Sequence, residues 1–257
     1  MRMTRSEFLR WPHKAITLLG MSGVGKTTLA YKLPPNQWFH YSGDYRIGTK
    51  YLAEPILDNI KRQAMQVGFL RDLLRSDSIY IASNITVHNL APIATFLGKI
   101  GRPDLGGLPV AEFIVKAQEI YGYDHFINDA GGSIVELDDE RTEKTLADNT
   151  LILYLKPDAQ VERDLVQRAI DNPKPLYYQE QFLDRKLAEY LAEAELEDVE
   201  RIVPDEFVRW IFPALVAHRR PRYEALAAKH GYTLNARLTE AITSEQDFLD
   251  LVASVLD

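Results

Sequence analysis

The stretch Gly20-Met21-Ser22-Gly23-Val24-Gly25-Lys26-Thr27-Thr28 decides the fold of this chain. It fits the pattern G-x-x-x-x-G-K-[ST] in full, between the apolar β-rich run Ala15–Leu19 and the helix-forming run Leu29–Leu33. A strand, a glycine-rich loop and a helix in this order are typical of a phosphate-binding loop, or P-loop. Glycines let backbone N–H groups turn toward the phosphates, and the helix presents its positive dipole end to the same anion. The sequence therefore predicts a nucleotide site here.

The loop residues have distinct expected roles. Lys26 reaches the β- and γ-phosphates of a nucleotide, and the Thr27 hydroxyl is a ligand for Mg²⁺. We therefore predict ATP and Mg²⁺ as cofactors. The nucleotide is expected to contact Gly20, Ser22, Gly23, Val24, Gly25, Lys26, Thr27 and Thr28.

Two carboxylates come at the ends of further predicted strands. Asp44 follows the run Trp38–Tyr41, and Asp129 ends the run His125–Asp129. In an open α/β sheet, ligands bind beyond the carboxyl ends of the strands. Asp129 is expected to hold Mg²⁺ together with Thr27. Asp44 is expected to orient or deprotonate a substrate hydroxyl, the alternative being a turn or helix-cap role.

Three further residues extend the candidate substrate site. Arg46, two residues after Asp44, can meet an anionic group of a substrate, although surface arginines are common. Gly131 and Gly132 follow Asp129 closely and allow a ligand to approach the backbone. We predict that this region binds the substrate.

A basic segment with prolines follows the fourth predicted strand, Thr150–Lys156. Its cations are Arg163, Arg168, Lys174 and Arg185. We predict a mobile lid over residues 163–204, in which Arg168 and Lys174 bring positive charge to the transferred phosphoryl group. A solvated helix with a proline turn is the alternative.

The composition limits the classes of protein to which the chain can belong. Thirty Lys and Arg against 37 Asp and Glu give a net charge of −7, so we expect neither nucleic acid nor an anionic membrane as partner. The chain has no cysteine, which excludes disulfides and thiolate metal sites and fits a cytoplasmic protein. We expect neither a signal peptide nor a membrane-spanning segment, because the first apolar run is short and no run approaches 18 apolar residues. The six histidines are scattered, which favours solvated or hydrogen-bonded histidines over a metal site.

The chain pattern predicts a single α/β domain over residues 1–257, with a five-stranded parallel sheet and helices on both faces. The surplus over a minimal P-loop domain lies in a helical insertion over residues 52–107 and in the lid region. A fifth strand is predicted at Gly231–Asn235. In the middle of the chain, the pattern predicts a helix at Leu52–Leu74, a short strand at Ser78–Ser83 and helices at Val87–Ile100 and Pro109–Tyr121. Toward the C-terminus, it predicts an acidic helix at Glu189–Glu200, a helix at Phe207–Ala217, an Ala-rich helix after Tyr223 that ends at His230, and a closing helix from Ser244.

The order of these motifs resembles the shikimate kinase and gluconate kinase branch of the P-loop small-molecule kinases. In that family the second strand ends in D-x-D, the third in a glycine-rich turn, the lid carries R-P-L, and a later R-x-P-x-Y stretch helps bind the substrate. The corresponding stretches here are Ser42-Gly43-Asp44, Gly131-Gly132, Lys174-Pro175-Leu176 and Arg219–Tyr223. The resemblance implies that Asp44 faces the substrate, Gly131 and Gly132 line its site, Lys174 belongs to the lid and Arg219 anchors the substrate.

Two positions depart from the family pattern. Ser42 stands at the first acidic position of D-x-D, which leaves Asp129 as the candidate to take over its metal role. Lys174 stands where arginine is usual, and lysine offers a point charge where arginine offers a bidentate fork.

The leading hypothesis is an ATP- and Mg²⁺-dependent phosphotransferase that acts on a small hydroxyl-bearing metabolite. The alternatives are a P-loop ATPase that couples hydrolysis to conformational change and a nucleotide-binding regulator without turnover. The chain contains neither the N-K-x-D motif of GTPases nor the L-S-G-G-Q signature of ABC-type ATPases, which disfavours both classes.

Overall fold

A computed structural model describes residues 1–42, 53–82, 119, 122–132, 134–173 and 176–256. The predictions for Asp44, Arg46 and Lys174 and for the helices at 87–100 and 109–121 concern residues that lie wholly or largely outside these ranges.

The centre of the fold is a five-stranded sheet with the spatial order β2-β3-β1-β4-β5, in which every strand pair is parallel. The five predicted strands are confirmed to within a residue at their ends. Every residue of β1 is buried, as expected for a central strand covered on both faces. The strands are β1 Ala15–Leu19, β2 Trp38–Ser42, β3 His125–Asp129, β4 Leu151–Lys156 and β5 Gly231–Asn235.

The strand order reverses direction at β1. β1 pairs with β3 on one side and with β4 on the other, whereas β2 lies beyond β3 at the sheet edge. The chain therefore leaves β1 toward one side of the sheet and later returns to build the other side. Such a reversal in strand order is where open α/β sheets bind ligands.

Among the described residues, no helix combines the length and the apolar character of a membrane span.

Helices cover both faces of the sheet. The helices are α1 Arg5–Arg10, α2 Lys26–Tyr31, α3 Ala53–Ala64, α4 Gly68–Arg75, α5 Glu140–Asn149, α6 Ala159–Asp171, α7 Glu180–Glu193, α8 Pro204–His230 and α9 Glu245–Ala253.

Helix α8 is one continuous helix of 27 residues, whereas the sequence predicted two. Pro213 and Pro221 lie inside it, and each proline removes a backbone hydrogen bond. Both prolines are on the exposed side of the helix, while the opposite side packs into the core. Burial of that apolar side offsets the local cost of the prolines, so the helix continues through them.

The predicted helix Leu52–Leu74 is interrupted. α3 ends at Ala64, a turn follows, and α4 begins at Gly68. The predicted strand at Ser78–Ser83 is wrong over its described part, residues 78–82, because the chain there closes the end of α4. Asp77 takes a left-handed conformation, with φ at 53°, and the backbone N–H groups of residues 78 and 79 donate to the Leu73 carbonyl.

The acidic run at Glu189–Glu200 is helical only at its start. α7 ends at Glu193, and Glu195 adopts a positive φ of 53°. The backbone N–H of Leu196 then donates to the Leu191 carbonyl, which satisfies the end of the helix. The prediction of a helix through Glu200 is therefore wrong, although a short 3₁₀ turn follows at Val199–Arg201.

Candidate nucleotide and cation site

The P-loop connects β1 to α2, as predicted. Gly20, Gly23 and Gly25 all have positive φ, at 144°, 84° and 103°. At Gly20 a side chain would also collide with its surroundings, since a Cβ atom there would lie 2.9 Å from Val24 and 3.0 Å from the Leu155 carbonyl. The loop can turn tightly at this point only because glycine has no side chain.

Lys26 is folded onto the loop that precedes it. Its ammonium group donates to the carbonyls of Gly20, at 2.8 Å, and Met21, at 3.1 Å, and the residue is buried. A buried ammonium needs such partners. The same group is therefore held at the loop in a position from which it can meet an incoming phosphate.

Thr27 and Asp129 meet at the carboxyl edge of the sheet. The Thr27 hydroxyl, in the first turn of α2, donates to the Oδ2 atom of Asp129 at the end of β3. Asp129 is buried. The two residues lie 102 positions apart in sequence, so the contact depends on the pairing of β1 with β3.

The surroundings of Asp129 favour its charged form. Burial by itself raises the pKa of the Asp129 carboxyl, but nearby His40, the charge of Lys26 and the Thr27 hydroxyl outweigh burial and hold the pKa below its ordinary value. The carboxyl is therefore ionised at neutral pH. A hydroxyl and an ionised carboxylate side by side are the oxygen donors that Mg²⁺ takes, so Thr27 and Asp129 fit this ion.

The strand register accounts for the departure at Ser42. Ser42 on β2 is directly paired with Asp129 on β3. Residues paired in this way point to the same face of a sheet. The family pattern has a carboxylate at the position of Ser42, and here Asp129 provides a carboxylate at the paired position on β3.

The Gly131–Gly132 turn contacts other parts of the protein. A Cβ atom at Gly132 would lie 3.1 Å from the Ser22 backbone nitrogen and 3.2 Å from Nη1 of Arg219. The Tyr223 hydroxyl donates to the Gly132 carbonyl. The lack of a side chain at Gly132 therefore lets this turn pack between the P-loop and α8.

Arg219 lies in a buried ion pair that the sequence analysis missed. Its Nε donates to Oε1 of Glu136 at 2.6 Å, and its Nη2 donates to the carbonyl of Tyr177. Oε2 of Glu136 lies 3.2 Å from Nε2 of His218. Burial alone lowers the pKa of Arg219, but Tyr223 and the Glu136 carboxylate reverse this and raise it. Glu136 belongs to no motif, so the sequence carried no signal for this pair.

A cavity of about 400 Å³ lies beside the P-loop. Arg168, in the last turn of α6, lines it and donates from Nε to the Asp164 carbonyl at 3.2 Å. The structure therefore places Arg168 on the same cavity as Ser22 and Gly23 of the P-loop, and its role in a lid stays a prediction. The lining residues are Ser22, Gly23, Leu165, Arg168, Ala169, Asn172, Leu176, Val208 and Phe212.

The chain is similar to several solved structures. A shikimate kinase from Bacteroides thetaiotaomicron aligns at 14% identity and a TM-score of 0.43, covering 94% of this chain and 95% of the other. A shikimate kinase from Acinetobacter baumannii, solved with shikimate, aligns at 16% identity and a TM-score of 0.40, with 97% of each chain covered. A sugar kinase from Janibacter sp. HTCC2649 aligns at 15% identity and a TM-score of 0.28, over 82% of this chain and 98% of the other.

No protein-family model matches the chain, and no curated protein matches it. The likenesses to solved structures are at 14–16% identity and at TM-scores of 0.28–0.43, so the function has to be argued from the residues of the site.

Proposed function

We propose that this protein is an ATP-dependent phosphotransferase that acts on a small hydroxyl-bearing metabolite with the help of a divalent cation. The proposal rests on the meeting of Lys26, Thr27 and Asp129 at one edge of the sheet. The cavity lined by Ser22 and Gly23 of the P-loop adds room for a small molecule beside the loop. A cytoplasmic location remains an expectation from the cysteine-free composition.

Lys26 and the amides of the P-loop would bind the β- and γ-phosphates. Thr27 and Asp129 would hold the cation, which offsets the negative charge of the phosphates when it is bound. The γ-phosphoryl group would pass to the oxygen of the acceptor hydroxyl, and the bond to the β-phosphate would break. The hydroxyl proton would go to Asp44, while Arg168 and Lys174 would stabilise the transferred group.

The residues in this proposal act mainly by position and charge. Lys26 is held at the loop by backbone carbonyls, so little reorganisation is needed when a phosphate replaces them. The roles of Asp44, Arg46 and Lys174 and of the Gly131–Gly132 turn are predictions from the sequence, and substrate binding by Arg219 is what the family resemblance implies.

ATP turnover measured over a panel of hydroxyl-bearing metabolites tests this function. We expect ADP to form only with an acceptor, together with a phosphorylated product, and we expect Lys26→Ala to abolish turnover without unfolding the protein. Lys144→Ala is the matched control, because Lys144 is exposed and pairs only with Asp148 among the ion pairs found in the described chain.

Two other results would replace the proposal. Release of free phosphate that no metabolite affects would indicate an ATPase. Tight nucleotide binding with neither hydrolysis nor transfer would indicate a regulator. Undiminished turnover in Lys26→Ala would contradict the assignment of the P-loop itself.

A further inference from the structure

A half-buried histidine lies beside the candidate cation site, with 19% of its side chain exposed. His40 lies on β2, and its Nε2 atom is shielded from solvent and has no hydrogen-bond partner within the described part of the chain. The ring packs edge-on against Tyr31, with 5.0 Å between ring centroids. A buried polar atom without a partner is costly, so it calls for an explanation.

The Nε2 atom of His40 lies near Asp129, the carboxylate that we propose as a ligand of the cation. Nε2 of His40 lies 3.9 Å from Oδ2 of Asp129, the same oxygen that accepts the hydrogen bond from Thr27. The register explains this, because His40 is two residues before Ser42, the partner of Asp129, and so lies on the same face. The Thr27 hydroxyl and the His40 imidazole therefore both lie near Oδ2 of Asp129.

The distance between Nε2 of His40 and Oδ2 of Asp129 fits two ligands of one ion better than it fits a hydrogen bond. At 3.9 Å the two atoms are too far apart to share a proton directly. Two donor atoms of one ion, each about 2.1 Å from it, lie between about 3 and 4.2 Å apart. The distance between His40 and Asp129 falls inside that interval.

We propose that His40 is a nitrogen ligand of the divalent cation held by Thr27 and Asp129, and that the site therefore selects Mn²⁺ or Co²⁺ over Mg²⁺. This inference rests on the proposed function, which places the cation there together with a nucleotide. Mg²⁺ takes oxygen ligands, whereas imidazole suits first-row transition ions. His40 thus gives this site a preference for Mn²⁺ or Co²⁺ that the P-loop motif by itself does not predict.

The test uses Mn²⁺ bound to the full chain with the β,γ-methylene analogue of ATP, whose triphosphate contains no nitrogen. Electron spin echo envelope modulation then reports whether a nitrogen nucleus is bonded to the manganese. We expect nitrogen coupling in the wild type and its loss in His40→Phe, which keeps a ring against Tyr31. We also expect the affinity for Mn²⁺ relative to Mg²⁺, measured by calorimetry, to fall about tenfold in that variant.

His40→Asn is a second variant, in case phenylalanine disturbs the packing, and should lose the same coupling. His13→Asn is the matched control, because His13 is exposed at the opposite edge of the sheet, where Nδ1 lies 3.1 Å from the Asp124 carbonyl. It should keep both the nitrogen coupling and the cation preference.

Bound Mn²⁺ and nucleotide without nitrogen coupling in the wild type would overturn the role of His40 and leave the proposed function intact. Nitrogen coupling that persists in His40→Phe, or an unchanged preference for Mn²⁺ over Mg²⁺ in that variant, would also overturn the role of His40 and leave the proposed function intact. A protein that binds neither nucleotide nor cation would contradict the proposed function and this inference together.

Discussion

Arg219 and Glu136 form an ion pair in the protein interior, and each charge is compensated by the other. The two side chains are almost completely closed to solvent, with exposed fractions of 1% and 0%. Removing one partner leaves an uncompensated buried charge. We therefore expect Arg219→Met to lower the free energy of unfolding by about 3–5 kcal/mol, as measured by urea denaturation.

The double variant Arg219→Met, Glu136→Gln shows whether the pair is responsible. It should be destabilised by clearly less than the sum of the single variants, because neither charge is then left alone. The exposed pair of Lys156 and Glu224, 2.9 Å apart, is the control, and Lys156→Ala should cost less than about 1 kcal/mol. Additive effects at Arg219 and Glu136 would contradict the coupling.

A side chain at Gly132 would lie close to its neighbours. A Cβ atom there would be 3.1 Å from the Ser22 nitrogen, so either the turn or the P-loop has to shift by a few tenths of an ångström. We expect Gly132→Ala to lower the free energy of unfolding by about 1–3 kcal/mol and to weaken nucleotide binding. Urea denaturation and calorimetric nucleotide titration measure the two effects.

Gly68→Ala provides the comparison for Gly132→Ala. Gly68 opens α4 in an exposed position, and a Cβ atom there meets only the end of the Arg71 side chain, at 3.7 Å. Alanine favours helix over glycine, so this variant should be neutral or slightly stabilised. Nucleotide affinity that is equal in the two variants would show that Gly132 does not support the P-loop.

The residues of the site differ in how well the sequence could predict them. Lys26 and Thr27 follow from a motif, and Asp129 from its position at the end of an apolar strand. His40 and Glu136 could not be found in this way, because their roles depend on strand register and on contacts across 82 or more positions. A scattered histidine and an acidic residue outside any motif give no signal by themselves.

Helix α9 begins with a reciprocal cap that should be visible in the pH dependence of stability. Asp247 accepts hydrogen bonds from the Thr243 backbone N–H, at 2.9 Å, from the Thr243 hydroxyl, at 2.8 Å, and from the Ser244 N–H, at 2.9 Å. These bonds lower the pKa of Asp247 to about 2. In the unfolded chain the pKa is about 3.9, so the folded state holds the proton more weakly.

The stabilisation by Asp247 is complete above about pH 4 and is lost as the pH falls toward 2. Asp247→Asn should therefore be less stable than the wild type at pH 5–7, and the difference should shrink below about pH 4. Urea denaturation at several pH values measures this. Asp250→Asn removes an exposed carboxylate of the same helix outside the cap, and a matching pH profile there would contradict the assignment to the cap.

The wrong predictions of secondary structure have one physical cause in common. Local signals correctly gave the five strands, because their apolar runs are buried in the sheet. The prolines of α8 and the residues after α4 were misread because tertiary burial and a helix-end turn decide their conformation. Local propensity is a weak guide wherever packing supplies the larger free energy.

At the scale of the whole molecule, the site exists only where several elements meet. Lys26 and Thr27 begin α2, Asp129 ends β3, and the Gly131–Gly132 turn ties the P-loop to α8. The parallel sheet brings these elements to one edge, and the buried pair of Arg219 and Glu136 links α8 to the residues after β3. A nucleotide bound at this edge should therefore stabilise the folded state as a whole.

We expect the β,γ-methylene analogue of ATP, with a divalent cation, to raise the temperature of thermal unfolding. Ligand at about 100 times its Kd stabilises the folded state by about 2.7 kcal/mol. In a chain of this size, that corresponds to an increase of about 5–10 °C. Lys26→Ala should lose the increase, because the phosphates lose their main cationic partner, whereas Lys144→Ala should keep it. An equal increase in Lys26→Ala, each variant being compared with its own ligand-free state, would show that the nucleotide binds elsewhere than the P-loop.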